Sequence, residues 1–326
     1  MEISKYSALS VLVAGCGAIG KRHIDILQEL GVGDIMVCDP NTEYVKAVTD
    51  KYPNVKVATN YAEGLKSKPF AVFILTPTKM HIPMAIEAIK SGAHVFIEKP
   101  LSNSSEDIEK LKQISKEYDK QVMVGFCFRY HDAMVKVKRL LEQGEIGRVV
   151  SVRSLMGEDF PSIHPEYKEM YISKYSGAFE IVHDVDLAIW MSGQEVDEVY
   201  GVYGSFSDYE FESPDTAEIL IKLKNKAVAT VHLDFFQNPR RRNLEIIGVN
   251  GVITIEFSSW DEATVSMYNK FESKWKTTKI ATKRNDMFIA EDSEFLDLAM
   301  KNEPMRCNID QASASLLVIE KIYKPY

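Results

Sequence analysis

The sequence lacks several features that would place it in a specialised class of protein. It has only 4 cysteines in 326 residues, and no two of them form a Cys-x-x-Cys pair. This usage argues against a disulfide framework or a structural zinc site and favours a reducing compartment, so we expect a cytoplasmic protein. No apolar run reaches the length of a transmembrane helix, and neither repeats nor low-complexity tracts occur.

An excess of positive charge is also absent. The chain has 39 lysine and arginine residues against 47 aspartate and glutamate residues, a formal net charge of −8. A nucleic-acid partner is therefore not expected, because phosphate binding needs a basic patch. With 45% hydrophobic and 26% charged residues, the chain has the composition of an ordinary globular protein and is long enough for two domains.

A glycine-rich turn follows the first apolar run, in the stretch VLVAGCGAIG from Val11 to Gly20. The spacing G-x-G-x-x-G and the apolar helical pattern behind it predict a strand, a tight turn and a helix. Gly15 permits the turn, Gly17 lets the backbone approach a pyrophosphate, and Gly20 lets the helix pack on the strand. The N–H groups of Ala18 and Ile19 would then face the phosphates. An ordinary buried turn remains the alternative.

The next apolar run ends in Asp39, at the distance from the glycines where an acidic residue binds the ribose hydroxyls of a dinucleotide. A carboxylate there repels a 2′-phosphate, so Asp39 favours NAD over NADP. The alternative is an exposed aspartate at a strand end with no ligand.

Strand and helix signals alternate through residues 1–125, which predicts a doubly wound parallel sheet that binds its ligand beyond the carboxyl ends of the strands. Residues 126–326 instead contain several strand-like runs with hairpin signals at Asn225-Lys226 and Asn250-Gly251, followed by two helices. This part is predicted to form an α/β domain with a large, open, mostly antiparallel sheet.

Two further segments contain residues suited to acid/base chemistry. Glu98-Lys99-Pro100 directly follows a predicted strand, which places Lys99 at the ligand-binding edge of the sheet. Glu180, His183 and Asp186 occur at three-residue steps in an apolar segment, and a single helix would bring them near one face. An imidazole flanked by carboxylates can act as a general acid or base. A surface lysine and a satisfied core histidine are the alternatives. A metal site using His183 with Asp186 also stays open, although no typical ligand spacing supports it.

The order of these motifs resembles the Gfo/Idh/MocA family of nicotinamide-dependent sugar and polyol oxidoreductases. The resemblance rests on the glycine turn, Thr76-Pro77-Thr78 with His81, Glu98-Lys99-Pro100, Gly125-Phe126 with Arg129-Tyr130, and His183-x-x-Asp186, and it spans essentially the whole chain. It implies an N-terminal Rossmann domain and a C-terminal domain whose sheet often forms an oligomer interface, so a homodimer or homotetramer is expected.

The resemblance also implies roles for individual residues. Lys99 and His183 would be catalytic, with Asp186 supporting the substrate site. Thr76, Pro77, His81 and Glu98 would lie with Lys99 along the cofactor, and Arg129 near cofactor or substrate. Many members have an aspartate four residues before the histidine, where this chain has Phe179; in another branch the acid is three residues before it, which would give Glu180 the orienting role. The substrate loop of that branch would contain His164, Tyr167 and Tyr171.

The implied reaction is hydride transfer between a hydroxyl-bearing carbon of a sugar, sugar nucleotide or cyclic polyol and the nicotinamide of NAD, with no resident metal. Two alternatives stay open: an NAD-assisted enzyme without net redox change, such as an epimerase, dehydratase or glycosidase, and a non-catalytic regulator that senses dinucleotide or sugar. Arg240, Arg241 and Arg242 could hold an anionic substrate, or could equally be a solvated strand edge or form ion pairs between subunits.

Overall fold

The computed structural model describes residues 4–170 and 172–322, with only the backbone of residues 173, 175, 180 and 181. Two compact units divide the chain. The first comprises Met1–Cys127 with Phe288–Leu316, and the second Phe128–Met287 with Leu317–Tyr326. The division predicted at residue 125 thus falls close to the first break, but residues 288–316, which the sequence pattern assigned to the second domain, belong to the first unit.

The first unit is built on a six-stranded parallel sheet, which confirms the predicted doubly wound fold. The strands lie in the order β3-β2-β1-β4-β5-β6. In chain order the elements are β1 (Ser10–Ala14), α1 (Ala18–Glu29), β2 (Asp34–Cys38), α2 (Thr42–Lys51), β3 (Lys56–Val57), α3 (Tyr61–Lys66), β4 (Ala71–Ile74), α4 (His81–Lys90), β5 (His94–Glu98), α5 (Ile108–Glu117) and β6 (Val122–Gly125).

The core of this unit is an aromatic cluster that contains a buried ion pair. Phe73 of β4 and Phe96 of β5 stack with their ring centroids 4.8 Å apart, and Phe295 packs edge-on against both. His23 of α1 lies among these rings, with Nδ1 2.9 Å from a carboxylate oxygen of Asp292. The Asp292 carboxylate raises the pKa of His23 against the opposing effect of burial. This pair joins α1 to the C-terminal part of the unit.

The second unit contains an eight-stranded sheet in the order β14-β13-β12-β11-β7-β10-β9-β8. Neighbouring strands are antiparallel except for β7 and β10, so the prediction of a mostly antiparallel sheet is confirmed. Its elements are α6 (Asp132–Glu142), β7 (Val149–Gly157), α7 (Phe160–Ile163), α8 (His183–Ser192), β8 (Val196–Gly204), β9 (Thr216–Leu223), β10 (Ala227–Asp234), β11 (Arg241–Gly248), β12 (Gly251–Glu256), β13 (Glu262–Asn269) and β14 (Lys274–Ala281). Two helices follow in the chain, α9 (Asp286–Lys301) and α10 (Ile309–Ile322), and their residues 288–316 belong to the first unit.

The two faces of this sheet differ. Helix α8 packs against β7, β10 and β11 on one face, where side chains such as Ala229 and Val231 are buried. The other face is open and carries exposed apolar residues among charged ones: Tyr200, Val202, Leu220 and Val228. Alternation of buried and exposed positions along β9 and β10 produces this asymmetry.

Three short or polar parts of the fold have no clear sequence pattern. Strand β14 pairs with β13 but is exposed along nearly its whole length, so its residues show no apolar alternation. Strand β3 has only two residues, and α2 buries a single side chain, Val48. Both hairpins were predicted correctly: Asn225 and Lys226 have φ values of 58° and 60° between β9 and β10, and Gly248 pairs with Gly251 across the other turn.

Within the described ranges, no helix is both long and apolar enough to cross a membrane.

The His23–Asp292 pair predicts a large effect on stability. Asp292→Ala leaves the imidazole buried without its carboxylate, so we expect a loss of about 3–5 kcal/mol in the free energy of unfolding, measured by urea denaturation. Lys46→Ala removes the exposed pair with Asp50 and should change that free energy by less than about 1 kcal/mol. Similar effects of the two substitutions would contradict this account of the core.

Candidate active site

Two glycines of the first turn are required by close backbone contacts. Gly15 has φ +102°, and a Cβ on it would lie 2.4 Å from the carbonyl oxygen of Leu75. A Cβ on Gly20 would lie 2.1 Å from the carbonyl oxygen of Gly15. No real Cβ tolerates such distances, so β1, the turn and α1 can pack this closely only with glycine at both positions.

Gly17 differs from these two because the space beside it is open. It has an ordinary φ of −66°, and no described atom lies within 4 Å of the position a Cβ would take. Helix α1 begins at the next residue, Ala18, with no described side chain capping it and no acidic residue in its first turn. The N–H groups at this helix start are therefore accessible to an anion, and the arrangement fits a dinucleotide pyrophosphate.

Asp39 follows β2 directly and is held by two backbone groups. One carboxylate oxygen accepts a hydrogen bond from the Cys16 N–H at 2.7 Å, and the other accepts one from the Asn41 N–H at 2.7 Å. These bonds fix the carboxylate next to the glycine turn. Each oxygen keeps a second lone pair with which to accept from a ribose hydroxyl, so this residue also fits the cofactor.

The side chain of His81 connects the segments that follow β4 and β5. Its Nδ1 lies 2.8 Å from the carbonyl oxygen of Pro100, and its Nε2 lies 2.8 Å from that of Thr76. His81 is buried, whereas Thr76 is half-buried and Pro77 is exposed. The imidazole therefore braces the loop that carries Thr76 and Pro77 against the peptide after Lys99.

Lys99 lies where the sequence placed it, just past β5 at the carboxyl edge of the parallel sheet. The side chains of Glu98 and Lys99 are half-buried. Gly125 of β6 pairs with Glu98, and a Cβ on this glycine would come within 2.8 Å of the Glu98 carboxylate. The glycine thus leaves room for that carboxylate.

In the second unit, His183 is the first residue of α8 rather than part of one long helix. A 3₁₀ segment, Gly177–Ile181, precedes it. Gly177 has φ +54°, and a Cβ on it would lie 2.0 Å from the Pro214 carbonyl oxygen. The prediction that one helix carries Glu180, His183 and Asp186 is therefore wrong, since His183 and Asp186 belong to α8 whereas Glu180 belongs to the 3₁₀ segment before it. The side chain of Glu180 lies outside the described residues.

Two buried carboxylates of α8 are bound by guanidinium groups. Asp186 accepts from Arg129 Nε at 2.8 Å and Nη2 at 2.6 Å. Asp184 accepts from Arg242 Nη2 at 2.6 Å and from the Ser154 hydroxyl at 3.1 Å. Arg129 and Asp186, both assigned to the site from the sequence, thus bind each other.

Asp184 and Arg242 were missed as a pair. The sequence signals for them are the Asp-x-Asp spacing in α8 and the arginine triplet at the start of β11.

Aromatic rings surround the start of α8. The His183 imidazole is half-buried and meets Phe128 edge-on at a centroid distance of 5.0 Å. The Arg242 guanidinium lies 3.8 Å from the centroid of the same phenyl ring, and Trp260 lies 6.1 Å from it. Phe128 therefore packs against the His183 imidazole and supports its position.

The predicted substrate loop packs onto a second aromatic group. The His164 ring lies 4.6 Å from Phe160, and Tyr167 lies 5.0 Å from Phe211. Both side chains are half-buried, so each keeps an accessible edge. Tyr171 lies outside the described residues. Across residues 4–170 and 172–322, no group of three or more histidine, cysteine, aspartate or glutamate side chains is arranged to hold a metal ion.

The first unit, with its parallel sheet, glycine turn and strand-end aspartate, defines the class as a dinucleotide-binding α/β protein. Comparison with protein families makes this specific. A family model described as the GFO/IDH/MocA oxidoreductase family with an NAD-binding Rossmann fold matches residues 9–126, and the GFO/IDH/MocA C-terminal domain matches residues 134–254. The chain belongs to the Gfo/Idh/MocA oxidoreductase family.

Individual relatives are distant. The chain is 28% identical over 229 residues to the uncharacterized oxidoreductase YrbE of Bacillus subtilis strain 168, covering 67% of this chain and 65% of YrbE. It is 25% identical over 232 residues to the inositol 2-dehydrogenase of Corynebacterium glutamicum strain R, covering 70% of this chain and 67% of that protein. The matches thus span about two thirds of the length of these curated relatives.

Among solved structures, a levoglucosan dehydrogenase in complex with NADH and levoglucosan has a TM-score of 0.85 at 20% identity, with 96% of both chains covered. At that identity the likeness shows a shared fold.

The contrast between the glycines gives a test. Gly17→Ala should change the free energy of unfolding by less than about 1 kcal/mol but weaken nicotinamide dinucleotide binding at least about tenfold, because the new methyl group occupies the open space beside the helix start. Gly20→Ala should destabilise the fold by about 1–3 kcal/mol through its backbone clash. Titration calorimetry and urea denaturation separate the two effects. Unchanged dinucleotide affinity in stable Gly17→Ala would refute a pyrophosphate site here.

Proposed function

We propose that this protein is an NAD-dependent dehydrogenase that transfers hydride between a hydroxyl-bearing carbon of a sugar, sugar nucleotide or cyclic polyol and nicotinamide. The observation that carries the proposal is the Asp39 carboxylate, hydrogen-bonded to the Cys16 N–H beside the accessible start of α1. The names of the relatives support the substrate class, because one is an inositol 2-dehydrogenase and another a levoglucosan dehydrogenase.

NAD is proposed over NADP on electrostatic grounds. Both oxygens of Asp39 are oriented by backbone N–H groups, so the carboxylate cannot turn away without losing those bonds. A 2′-phosphate would add negative charge beside it, whereas two ribose hydroxyls would donate hydrogen bonds to it.

For the chemical step, the bound nicotinamide supplies the hydride acceptor or donor. In the oxidation direction, His183 accepts the proton of the substrate hydroxyl, and Lys99 donates a hydrogen bond to the same oxygen and stabilises its developing negative charge. In the reduction direction, hydride adds to the carbonyl carbon, protonated His183 returns its proton to the carbonyl oxygen, and Lys99 still donates a hydrogen bond to that oxygen. These roles rest on the family membership and on the positions of Lys99 after β5 and His183 at the start of α8.

Within the second unit, the two guanidinium pairs serve to position His183. Asp184 and Asp186 anchor the first turn of α8 to Arg242 and Arg129, and Phe128 supports the imidazole. We assign Asp186 and Arg129 this structural support of the site. His164 and Tyr167 remain candidates for contact with substrate hydroxyls.

We further propose that the open face of the eight-stranded sheet joins subunits into a homodimer or homotetramer. Its exposed apolar side chains, including Tyr200 and Val202, support this, since such a surface is stabilised by burial against another subunit. A cytoplasmic location is proposed because the sequence has only 4 cysteines with no Cys-x-x-Cys pair, as is usual in a reducing compartment.

The role of Asp39 is tested by nucleotide titration. Asp39→Ala in protein stripped of bound nucleotide should weaken NAD binding by about 10- to 100-fold and reduce the discrimination against NADP, since two charge-assisted hydrogen bonds and one repulsive charge disappear. Asp34→Ala removes the same charge at the other end of β2 and should leave both affinities unchanged. A wild-type preference for NADP would contradict the cofactor proposal.

The catalytic roles are tested by turnover. Lys99→Ala and His183→Ala should each lower kcat on the order of 10²- to 10⁴-fold with the dissociation constant of NAD little changed, as expected for lost proton transfer and charge stabilisation. Lys79→Ala, an exposed lysine after β4, serves as the matched control and should retain full activity. Near wild-type kcat in either active-site variant would exclude it from the chemistry.

A further inference from the structure

Two arginine side chains meet at one indole in the second unit. The guanidinium carbon of Arg240 lies 4.9 Å from a ring centroid of Trp260, and that of Arg284 lies 4.5 Å from the Trp260 ring. Like charges so close repel each other, and the chain as a whole has a net charge of −8. Their approach to one aromatic side chain therefore needs an explanation beyond general surface charge.

The arginines near Trp260 differ in how many of their N–H groups already donate hydrogen bonds within the protein. Arg240 donates from Nε to Glu158 at 3.1 Å and from Nη1 to the Ser258 carbonyl. Burial and the nearby Arg242 lower the pKa of Arg240, the sign of a guanidinium away from bulk water. Arg242 itself is committed to Asp184. Arg241, the third member of the triplet, is exposed on β11. Arg240 and Arg242 thus have little hydrogen-bonding capacity left for a ligand, and no described aromatic ring orients Arg241.

Arg284 differs from the triplet because it combines exposure with an aromatic contact, to Trp260. It is exposed, and within the described part of the chain it has no carboxylate partner. The guanidinium carbon lies 4.5 Å from the Trp260 ring centroid, so the indole restricts its movement, and its N–H groups can still form a two-pronged bond to a carboxylate or phosphoryl group. An oriented, unneutralised arginine of this kind is suited to anion recognition.

Aromatic contacts connect Arg284 to His183, the proposed proton acceptor. Phe128 contacts both the His183 imidazole, at 5.0 Å, and Trp260, at 6.1 Å. Arg284 is therefore linked through Trp260 and Phe128 to the proposed proton acceptor, His183.

We propose that Arg284, oriented by Trp260, binds an anionic group of the substrate, so that the preferred substrate is an acidic sugar derivative carrying a carboxylate or phosphoryl group rather than a neutral polyol. This inference rests on the proposed function, since it names the substrate class of that same site. The interaction serves binding and takes no part in hydride transfer.

Direct binding tests the proposal without depending on turnover. With NAD-saturated protein, calorimetric titrations would compare two anionic probes, UDP and glucuronate, with uncharged inositol. The expected result is that at least one anion binds about tenfold or more tightly than inositol, and that Arg284→Ala weakens its binding by about 10- to 100-fold while leaving inositol binding unchanged. Binding of UDP alone would identify a phosphoryl group, and binding of glucuronate alone a carboxylate.

Three further variants separate orientation from charge. Arg139→Ala removes an exposed arginine of α6 that is not part of the cluster and should leave every affinity unchanged. Arg284→Lys keeps the charge but loses the planar fork, and Trp260→Leu keeps both guanidiniums but loses the indole; each should weaken anion binding less than Arg284→Ala does.

The proposal is overturned if neither anion binds more tightly than inositol, or if Arg284→Ala affects anionic and uncharged probes equally or not at all. Failure of the proposed function is a separate result, visible as absence of NADH production from any probe sugar whatever these affinities are.

Discussion

The second unit depends on two buried ion pairs at the start of one helix. Asp184 and Asp186, two residues apart, point to different partners, and each carboxylate is bound by a guanidinium supplied from elsewhere in the unit. Buried charges of this kind are tolerated only when their hydrogen bonds are made, so loss of either arginine would leave a carboxylate without compensation. Because both carboxylates lie within three residues after His183, these ion pairs help to hold the backbone of the proposed proton acceptor in position.

In the first unit, glycines that lack side chains determine the geometry of the cofactor site. Gly15 and Gly20 bring backbone against backbone, while Gly17 leaves an opening at the start of α1. The carboxylate of Asp39 is then oriented by the Cys16 N–H from within that turn. A single tight turn thus shapes the space for the phosphates and sets the group that discriminates between dinucleotides, which is why the cofactor could be argued from so short a stretch.

Local patterns predicted most of the architecture, and long-range contacts account for what they missed. Buried runs such as Ala71–Ile74 carry their own signal, and so do hairpin residues such as Asn225. Strand β14 gives none, because it is held by pairing with β13 and buries almost nothing. The 3₁₀ segment before His183 begins at Gly177, whose backbone packs against Pro214, and the partner of Asp186 is Arg129, 57 residues away. Neither relation can be read from neighbouring residues.

The most direct test of the whole account is the stoichiometry of a reaction started with stripped protein, added NAD and a sugar or polyol substrate. Absorbance of reduced nicotinamide would be followed while product is quantified in the same sample. A dehydrogenase must release NADH in equal molar amount to the substrate oxidised, and that is the result we predict. Substrate conversion without accumulating NADH would instead reveal an enzyme that uses NAD only transiently, and dinucleotide binding without any conversion would reveal a sensor.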